Sequence, residues 1–164
     1  MTQQQTTDHL TTATIAADPV VPAINITRDF KATPAQVIRA HVDPELAMAW
    51  MGPDHRTITI DYWDARTGGS WRYLDSTDAD VQAFRGCFHE IGENRIVQTF
   101  TWEGMPEGVA LQTMTVTDLG DGWCRLHASS LTDSFEGRDA WLHSGMEVGV
   151  NDGYAKLDAL LAAS

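Results

Sequence analysis

The side chains that could transfer a proton are scattered along this sequence rather than paired. The candidates are His89, Glu90, Asp61, His127 and His143. No two of them are joined into a recognisable acid–base pair by the spacing of a helix face or a strand face. His89-Glu90 resembles the start of an H-E-x-x-H zinc motif, but Glu93 stands where the second histidine would be. We therefore expect no metal and no cofactor, and His89 or Glu90 is the first candidate for any acid–base role.

Aromatic residues give a more informative pattern. The chain has six tryptophans, and two-residue alternation places Trp71 and Tyr73 on one strand face. A second stripe consists of Ile96, Gln98, Phe100 and Trp102. Gln98 is its only polar member, and burying an amide without a partner costs roughly 1–3 kcal/mol. These residues fit either a plain core or a ligand pocket, and the candidates for lining a pocket are Trp50, Tyr62, Trp71, Tyr73, Gln98, Phe100, Trp102, Trp141 and Met146.

Arginines also lie within or beside the predicted strands. Nine of the eleven basic residues are arginines. On an outer sheet face they would pair across strands with Asp61, Glu90 or Glu103, each exposed pair contributing a few tenths of a kcal/mol. Alternatively, one arginine turned inward would bind a ligand carboxylate through two hydrogen bonds.

The spacing of turns and apolar residues predicts one α+β domain. Thr33-Pro34 and Asp43-Pro44 each indicate a helix cap followed by proline at the first helical position. The expected order is one strand, two short helices, six strands and a C-terminal helix. The strands are expected at 23–31, 56–63, 69–75, 81–91, 94–103, 109–118 and 123–131, and the helices at 34–42, 44–50 and about 134–162. Short strands without intervening helices predict an antiparallel sheet, about seven strands in all.

Three glycines recur at four-residue intervals in the C-terminal helix, at Gly145, Gly149 and Gly153. Each costs about 1 kcal/mol relative to alanine inside a helix. They therefore indicate either close packing of the helix on the sheet or room for a ligand beneath it.

Charge and the chain ends restrict the possible partners. The 23 acidic residues outnumber the 11 basic ones, and the net charge is −12. An acidic surface repels phosphate backbones and anionic lipid, so we expect no nucleic acid and no membrane insertion. Residues 1–22 are rich in threonine and glutamine and predict a flexible tail before a single domain at 23–164. No targeting segment is recognised, which favours a cytoplasmic location; an exposed sheet edge or Trp123 would support a homodimer.

An ordered series of segments resembles a known family. The series is I-N-I-T-R-D-F-K-A-T-P-A-Q-V-I-R-A at 24–40, D-P-E-L-A-M-A-W-M-G-P at 43–53, D-Y-W-D-A-R-T-G-G-S-W-R-Y at 61–73, F-R-G-C-F-H-E-I at 84–91, R-I-V-Q-T-F-T-W at 95–102 and G-M-E-V-G-V-N-D-G-Y-A-K-L-D-A-L-L at 145–161. Together these resemble the activator of heat-shock-protein ATPase homologue branch of the START-like (SRPBCC) superfamily. The resemblance implies a helix-grip fold, in which a curved antiparallel sheet wraps around a long C-terminal helix and encloses a hydrophobic cavity. It supplies no universal catalytic motif.

Three functions follow as hypotheses. The first is binding of a small hydrophobic or aromatic molecule between the sheet and the C-terminal helix. The second is an enzyme of the polyketide cyclase or dehydratase type, which needs a titratable side chain inside the cavity. The third is a co-chaperone-like or stress-related protein-interaction module that uses the acidic surface.

Overall fold

The computed structural model of the protein describes residues 8–164, which form eight strands and four helices. The strands are β1 (Thr14–Ala17), β2 (Ala23–Phe30), β3 (Thr57–Trp63), β4 (Ser70–Ser76), β5 (Val81–Ile91), β6 (Arg95–Trp102), β7 (Ala110–Gly120) and β8 (Trp123–Leu131). The helices are α1 (Pro34–Val42), α2 (Pro44–Trp50), α3 (Phe135–Leu142) and α4 (Met146–Ala162).

All eight strands belong to one antiparallel sheet in the order β1-β2-β8-β7-β6-β5-β4-β3. Register shifts in the β3–β4, β5–β6 and β7–β8 pairs mark β-bulges, which bend the strands and increase their twist. The curved sheet holds the C-terminal helices on one face. This confirms the predicted α+β helix-grip fold, with eight strands in the described residues instead of about seven.

The additional strand lies in the segment predicted to be a flexible tail. β1 pairs with β2 from Thr14↔Thr27 to Ala17↔Ile24, so this part of the prediction is wrong. The carboxylate of Asp18 holds the connecting turn, accepting hydrogen bonds from the Val20 and Val21 N–H groups at 2.9 and 3.1 Å. Residues 1–7 of the predicted tail lie outside the described residues.

The two N-terminal helices begin where their caps predict. The Thr33 hydroxyl accepts from the Gln36 N–H at 3.2 Å, and the Gln36 side chain accepts from the Thr33 N–H at 2.9 Å, which completes a capping box. The Asp43 carboxylate accepts from the Glu45 N–H at 3.0 Å at the start of α2. The short α1–α2 connection brings His41 and Trp50 together, with ring centroids 4.8 Å apart.

The C-terminal helix is divided, contrary to the prediction of one continuous helix. α3 ends at Leu142, and Gly145 adopts φ +89° before α4 begins. That left-handed conformation is readily accessible to glycine and costs other residues roughly 1–2 kcal/mol. The break allows α3 to lie against β1 and β2 while α4 packs on α2.

The other two glycines of the series serve contacts with the α2 region rather than with the sheet. A Cβ at Gly153 would lie 3.1 Å from the Trp50 carbonyl oxygen, and a Cβ at Gly149 would lie 3.6 Å from Pro53. Gly153 therefore permits a close approach of α4 to α2. This approach fixes one wall of the space between the helices and the sheet.

Candidate functional site

A cavity of about 210 Å³ lies between the concave face of the sheet and the helices α1, α2 and α4; we call it the inner cavity. Its wall is mostly apolar and aromatic. The aromatic members are Trp50, Trp63, Trp71, Tyr73, Phe88, Phe100 and Tyr154. Two tryptophans are fixed by hydrogen bonds, since Trp50 Nε1 donates to the Ala40 carbonyl at 2.9 Å and Trp63 Nε1 to the Val42 carbonyl at 2.8 Å.

A continuous layer of aromatic rings crosses the sheet from β4 to α3. The ring centroids of Trp71 and Tyr73 are 5.5 Å apart, those of Tyr73 and Phe84 5.3 Å, and those of Phe84 and Phe100 5.3 Å. Phe100 then stacks on Trp141 at 5.6 Å and an angle of 7°. These separations are typical of favourable aromatic contacts.

Gly86 on β5 leaves room for the indole ring of Trp71. The two residues are register partners, and a Cβ at Gly86 would come within 2.6 Å of the Trp71 ring. The indole N–H of Trp71 is buried and has no hydrogen-bond partner among the described residues. Burying a donor without a partner lowers stability by roughly 1–3 kcal/mol. The packing of the Trp71 ring must therefore stabilise the fold by more than this amount.

A second cavity, of about 590 Å³, opens beside the first; we call it the outer cavity. It lies between α3, the start of α4 and the ends of β5 and β6, and its wall includes Trp102, Met105, Trp141, Met146 and Gly149. Phe100 lines both cavities. The Phe100 ring, which stacks on Trp141 from the outer cavity, therefore forms the partition between them.

The structure brings most of the predicted pocket residues to these two cavities. Trp50, Trp71, Tyr73 and Gln98 line the inner cavity, Phe100 lines both, and Trp102, Trp141 and Met146 line the outer one. Whether they bind a ligand stays a prediction.

Tyr62 is placed differently from the prediction, since it lines neither cavity and is 45% exposed. The β-bulge between Ile60 and Tyr62 is the reason. Ile58 and Ile60 face inward by alternation, but the additional residue in the bulge shifts the phase, so that Trp63 faces inward instead of Tyr62.

Gln98 finds its partner inside the inner cavity. Its Nε2 donates to Oε1 of Gln112 at 2.8 Å, and Nε2 of Gln112 donates to Oγ of Ser130 at 3.1 Å. The three residues are register partners on β6, β7 and β8, and all line the inner cavity. We call this chain of hydrogen bonds the amide chain.

His41 also lines the inner cavity, although it is not among the residues predicted from the sequence to line a pocket. Its Nδ1 lies 2.7 Å from the Val37 carbonyl oxygen, so Nδ1 carries the proton and Nε2 is left as an acceptor. Burial lowers the pKa of His41 to about 4, against a smaller opposing effect of the Val37 carbonyl. The half-buried ring is therefore neutral at pH 7. The sequence feature that could have identified His41 is the Asp43-Pro44 cap, because the turn it sets between α1 and α2 directs the His41 ring towards the sheet.

The acid–base candidates from the sequence lie elsewhere. His89 is exposed on β5, and Glu90 lies 3.7 Å from Arg95 in a partly exposed ion pair. Arg72 follows the outer-face interpretation, since it donates to Asp61 at 3.0 Å and to Glu103 at 2.6 Å. Arg28 on β2 is turned inward instead, but its partner is Asp158 of α4. Among residues 8–164, no arginine or lysine lines either cavity.

The family assignment follows from comparison with known proteins. The sequence profile described as activator of Hsp90 ATPase homolog 1-like protein matches residues 31–162. The chain belongs to this family. A comparison of the sequence with curated proteins finds no significant match.

Solved structures of other proteins share this family member's fold. A protein from Rhodobacter sphaeroides superposes with a TM-score of 0.81 at 23% identity, covering 92% of this chain and 98% of its own. Protein Ms6760 from Mycobacterium smegmatis gives a TM-score of 0.82 at 22% identity, covering 93% and 98%. DynU16, a protein of the dynemicin biosynthetic locus, gives 0.64 at 17% identity, covering 86% of this chain and 47% of its own.

Two further observations concern the described part of this family member. Residues 8–164 contain no group of three or more histidine, cysteine, aspartate or glutamate side chains placed to hold a metal ion. Over the same range, no helix combines the length and apolar character needed to cross a membrane.

The environment of His41 predicts a pH-dependent loss of stability. Between pH 6.5 and about 4 the unfolded chain binds a proton at His41 that the folded chain does not, so the free energy of unfolding falls as the pH is lowered through this range. After allowance for the partial exposure of the ring, we expect the free energy of unfolding to fall by about 2 kcal/mol. Urea unfolding of the wild type and of His41→Phe at pH 7, 6, 5 and 4.5 measures it.

The free energy of unfolding of His41→Phe should depend less steeply on pH than that of the wild type, because the variant lacks this titrating group. His89→Phe is the matched control, because His89 is exposed, and it should keep the wild-type slope. An unchanged slope in His41→Phe would contradict the expectation.

Proposed function

We propose that this protein binds a small aromatic molecule in the inner cavity. The observation that carries the proposal is the aromatic-lined inner cavity of about 210 Å³. An apolar cavity of roughly 150 Å³ is large enough to bind benzene. The inner cavity accordingly suits a ligand of one or two fused rings.

The wall supports binding because its rings are held in place by contacts with the rest of the protein. Trp50 and Trp63 are anchored by their indole hydrogen bonds, and Trp71 is held between Tyr73 and Gly86. A preorganised wall loses little conformational entropy on binding. A two-ring ligand is therefore expected to bind with a Kd on the order of 10–100 µM.

The test is isothermal titration calorimetry with 2-naphthol at pH 7. Ala128 lines the inner cavity, so Ala128→Met places a side chain where the ligand would lie and should weaken binding at least about tenfold. Ala79→Met, in an exposed turn, is the matched control and should bind as the wild type does. Equal binding by wild type and Ala128→Met, or no binding by the wild type, would overturn the proposal.

A second candidate function is proton transfer within the same cavity, and His41 is the observation that favours it. Its unprotonated Nε2 can accept a proton from a bound carbonyl compound, whereas His89 and Glu90 are outside the cavity. The fold also resembles about half of DynU16, a protein of the dynemicin biosynthetic locus. A pKa of about 4 makes His41 a weak base, so binding is supported better than catalysis.

Deuterium exchange into 2-tetralone, followed by NMR, tests the second candidate. Exchange that is accelerated by the wild type and lost in His41→Phe would support it. Equal exchange rates with both proteins would exclude His41 as the base.

A further inference from the structure

The polar groups that line the inner cavity are all uncharged. They comprise the amide chain, the neutral His41 imidazole and the Tyr73 and Tyr154 hydroxyls, with Thr113 beside them. Among residues 8–164, no aspartate, glutamate, lysine or arginine lines this cavity. A ligand inside it meets hydrogen-bonding groups without a counter-ion.

The amide chain has a direction, and its two ends differ. The central Gln112 uses its oxygen towards Gln98 and its nitrogen towards Ser130. At one end, the Gln98 amide oxygen has no hydrogen-bond partner among the described residues, so it is an open acceptor on a side chain that lines the cavity. At the other end, Ser130 accepts from Gln112 and keeps its own hydroxyl proton to donate.

The tyrosine hydroxyls add donors and acceptors without adding charge. Both tyrosine side chains line the cavity, and neither hydroxyl has a hydrogen-bond partner among residues 8–164. Burial raises the pKa of Tyr154 to about 12 and raises the pKa of Tyr73 as well, so both remain protonated at neutral pH. A neutral hydroxyl on a ligand can therefore both donate to and accept from this wall.

The surroundings of the inner cavity offer an anion no counter-ion. The neighbouring outer cavity is lined by two carboxylates, Asp133 and the Arg56-paired Asp75, and the net charge of the chain is −12. An ion moved into the inner cavity would lose its hydration without finding a partner of opposite charge, and burial of an unpaired ion is strongly unfavourable.

We infer that the inner cavity selects an uncharged hydroxyaromatic ligand, whose hydroxyl donates to the free oxygen of Gln98, and rejects aromatic carboxylates of the same size. This inference rests on the proposed function and deepens it by naming the ligand class. Gln98 acts as the selecting residue, because it presents the open acceptor of the amide chain.

Equilibrium dialysis at pH 7 with three two-ring compounds tests the inference. Naphthalene has no polar group, 2-naphthol is an uncharged hydroxyaromatic, and 2-naphthoate is an anion of similar size. We expect 2-naphthol to bind about tenfold more tightly than naphthalene, the value of one net hydrogen bond. We expect 2-naphthoate to bind at least about a hundredfold more weakly than 2-naphthol.

Two glutamine variants test whether Gln98 is responsible for the preference for 2-naphthol. Gln98→Met keeps the length of the side chain and removes its acceptor, so the preference for 2-naphthol over naphthalene should fall while the affinity for naphthalene is unaffected. Gln82→Met makes the same change in the wall of the outer cavity and should leave all three affinities unchanged. Circular dichroism checks that both variants fold, and the comparison of the three compounds on the wild type stands without them.

The outcomes separate the inference from the proposed function. If naphthalene binds as tightly as 2-naphthol, or 2-naphthoate binds as tightly as either, the inference is overturned and the proposed function stands. If Gln98→Met keeps the full preference for 2-naphthol, Gln98 is not the selecting residue. If none of the three compounds binds, the proposed function itself fails.

Discussion

Replacement of Asp29 by alanine is expected to lower the free energy of unfolding by about 3–4 kcal/mol, because the change removes a buried carboxylate that three hydrogen bonds satisfy. Asp29 is fully buried on β2. Its two oxygens accept from Nε and Nη2 of Arg125 at 2.8 and 3.0 Å and from the Leu10 N–H at 2.9 Å. Urea unfolding at pH 7 measures the loss.

The charge state of Asp29 supports this expectation. Burial alone would raise the pKa of its carboxyl, but the hydrogen bonds from Arg125 and from the Leu10 N–H reverse the effect, so that the pKa is lowered overall. The carboxylate is therefore ionised at neutral pH and its hydrogen bonds are charge-assisted.

Asp64→Ala is the matched control for Asp29→Ala. Asp64 pairs with Arg66 on the surface, where both side chains are at least half exposed, so this change should cost less than about 1 kcal/mol. Equal losses in the two variants would contradict the interpretation.

Asp29 also holds the N-terminal segment against the sheet. Limited proteolysis of this segment therefore provides a second test of Asp29→Ala. The Asp29 N–H donates to the Leu10 carbonyl at 2.8 Å, and the His9 ring stacks on Trp123 with centroids 3.8 Å apart. Without the carboxylate, residues 8–17 should be cleaved faster in limited proteolysis. The Asp64→Ala control should be cleaved at the wild-type rate.

This anchoring explains why β1 could not be predicted from the sequence. The strand is four residues long and contains one large apolar side chain, Ile15. It is stabilised by pairing with β2 and by the distant Asp29 and Trp123 contacts. The longer strands were predictable because each carries its own two-residue alternation.

The candidate site shows the same division between local and non-local information. The stripe of Gln98 and Phe100 was predictable, since regular alternation sets its face. Tyr62 was assigned to the wrong face because a bulge depends on the pairing of β3 with β4, which local spacing does not record. Likewise, the break at Gly145 splits the predicted helix, and this break decides where Trp141 meets Phe100.

The second large effect is expected from removal of the Phe100 ring, which separates the two cavities. Phe100→Ala is expected to join the cavities of about 210 and 590 Å³ and to lower the free energy of unfolding by about 3 kcal/mol. The ring contacts Trp71, Phe84 and Trp141 with centroid distances of 5.9, 5.3 and 5.6 Å, and all three contacts would be lost. Phe135→Ala, at an exposed ring outside both cavities, should cost less than about 1 kcal/mol.

Ligand preference should change along with stability in Phe100→Ala. The wild-type inner cavity suits two rings, so 9-phenanthrol, which has three, should bind more weakly than 2-naphthol. In the joined cavity the order should reverse, because the larger ligand fills the space left by the Phe100 ring and recovers its apolar contacts. Isothermal titration calorimetry of both phenols with wild type, Phe100→Ala and Phe135→Ala measures the order. An unchanged order in Phe100→Ala would mean that the two cavities act independently and that ligand size is set by another part of the wall.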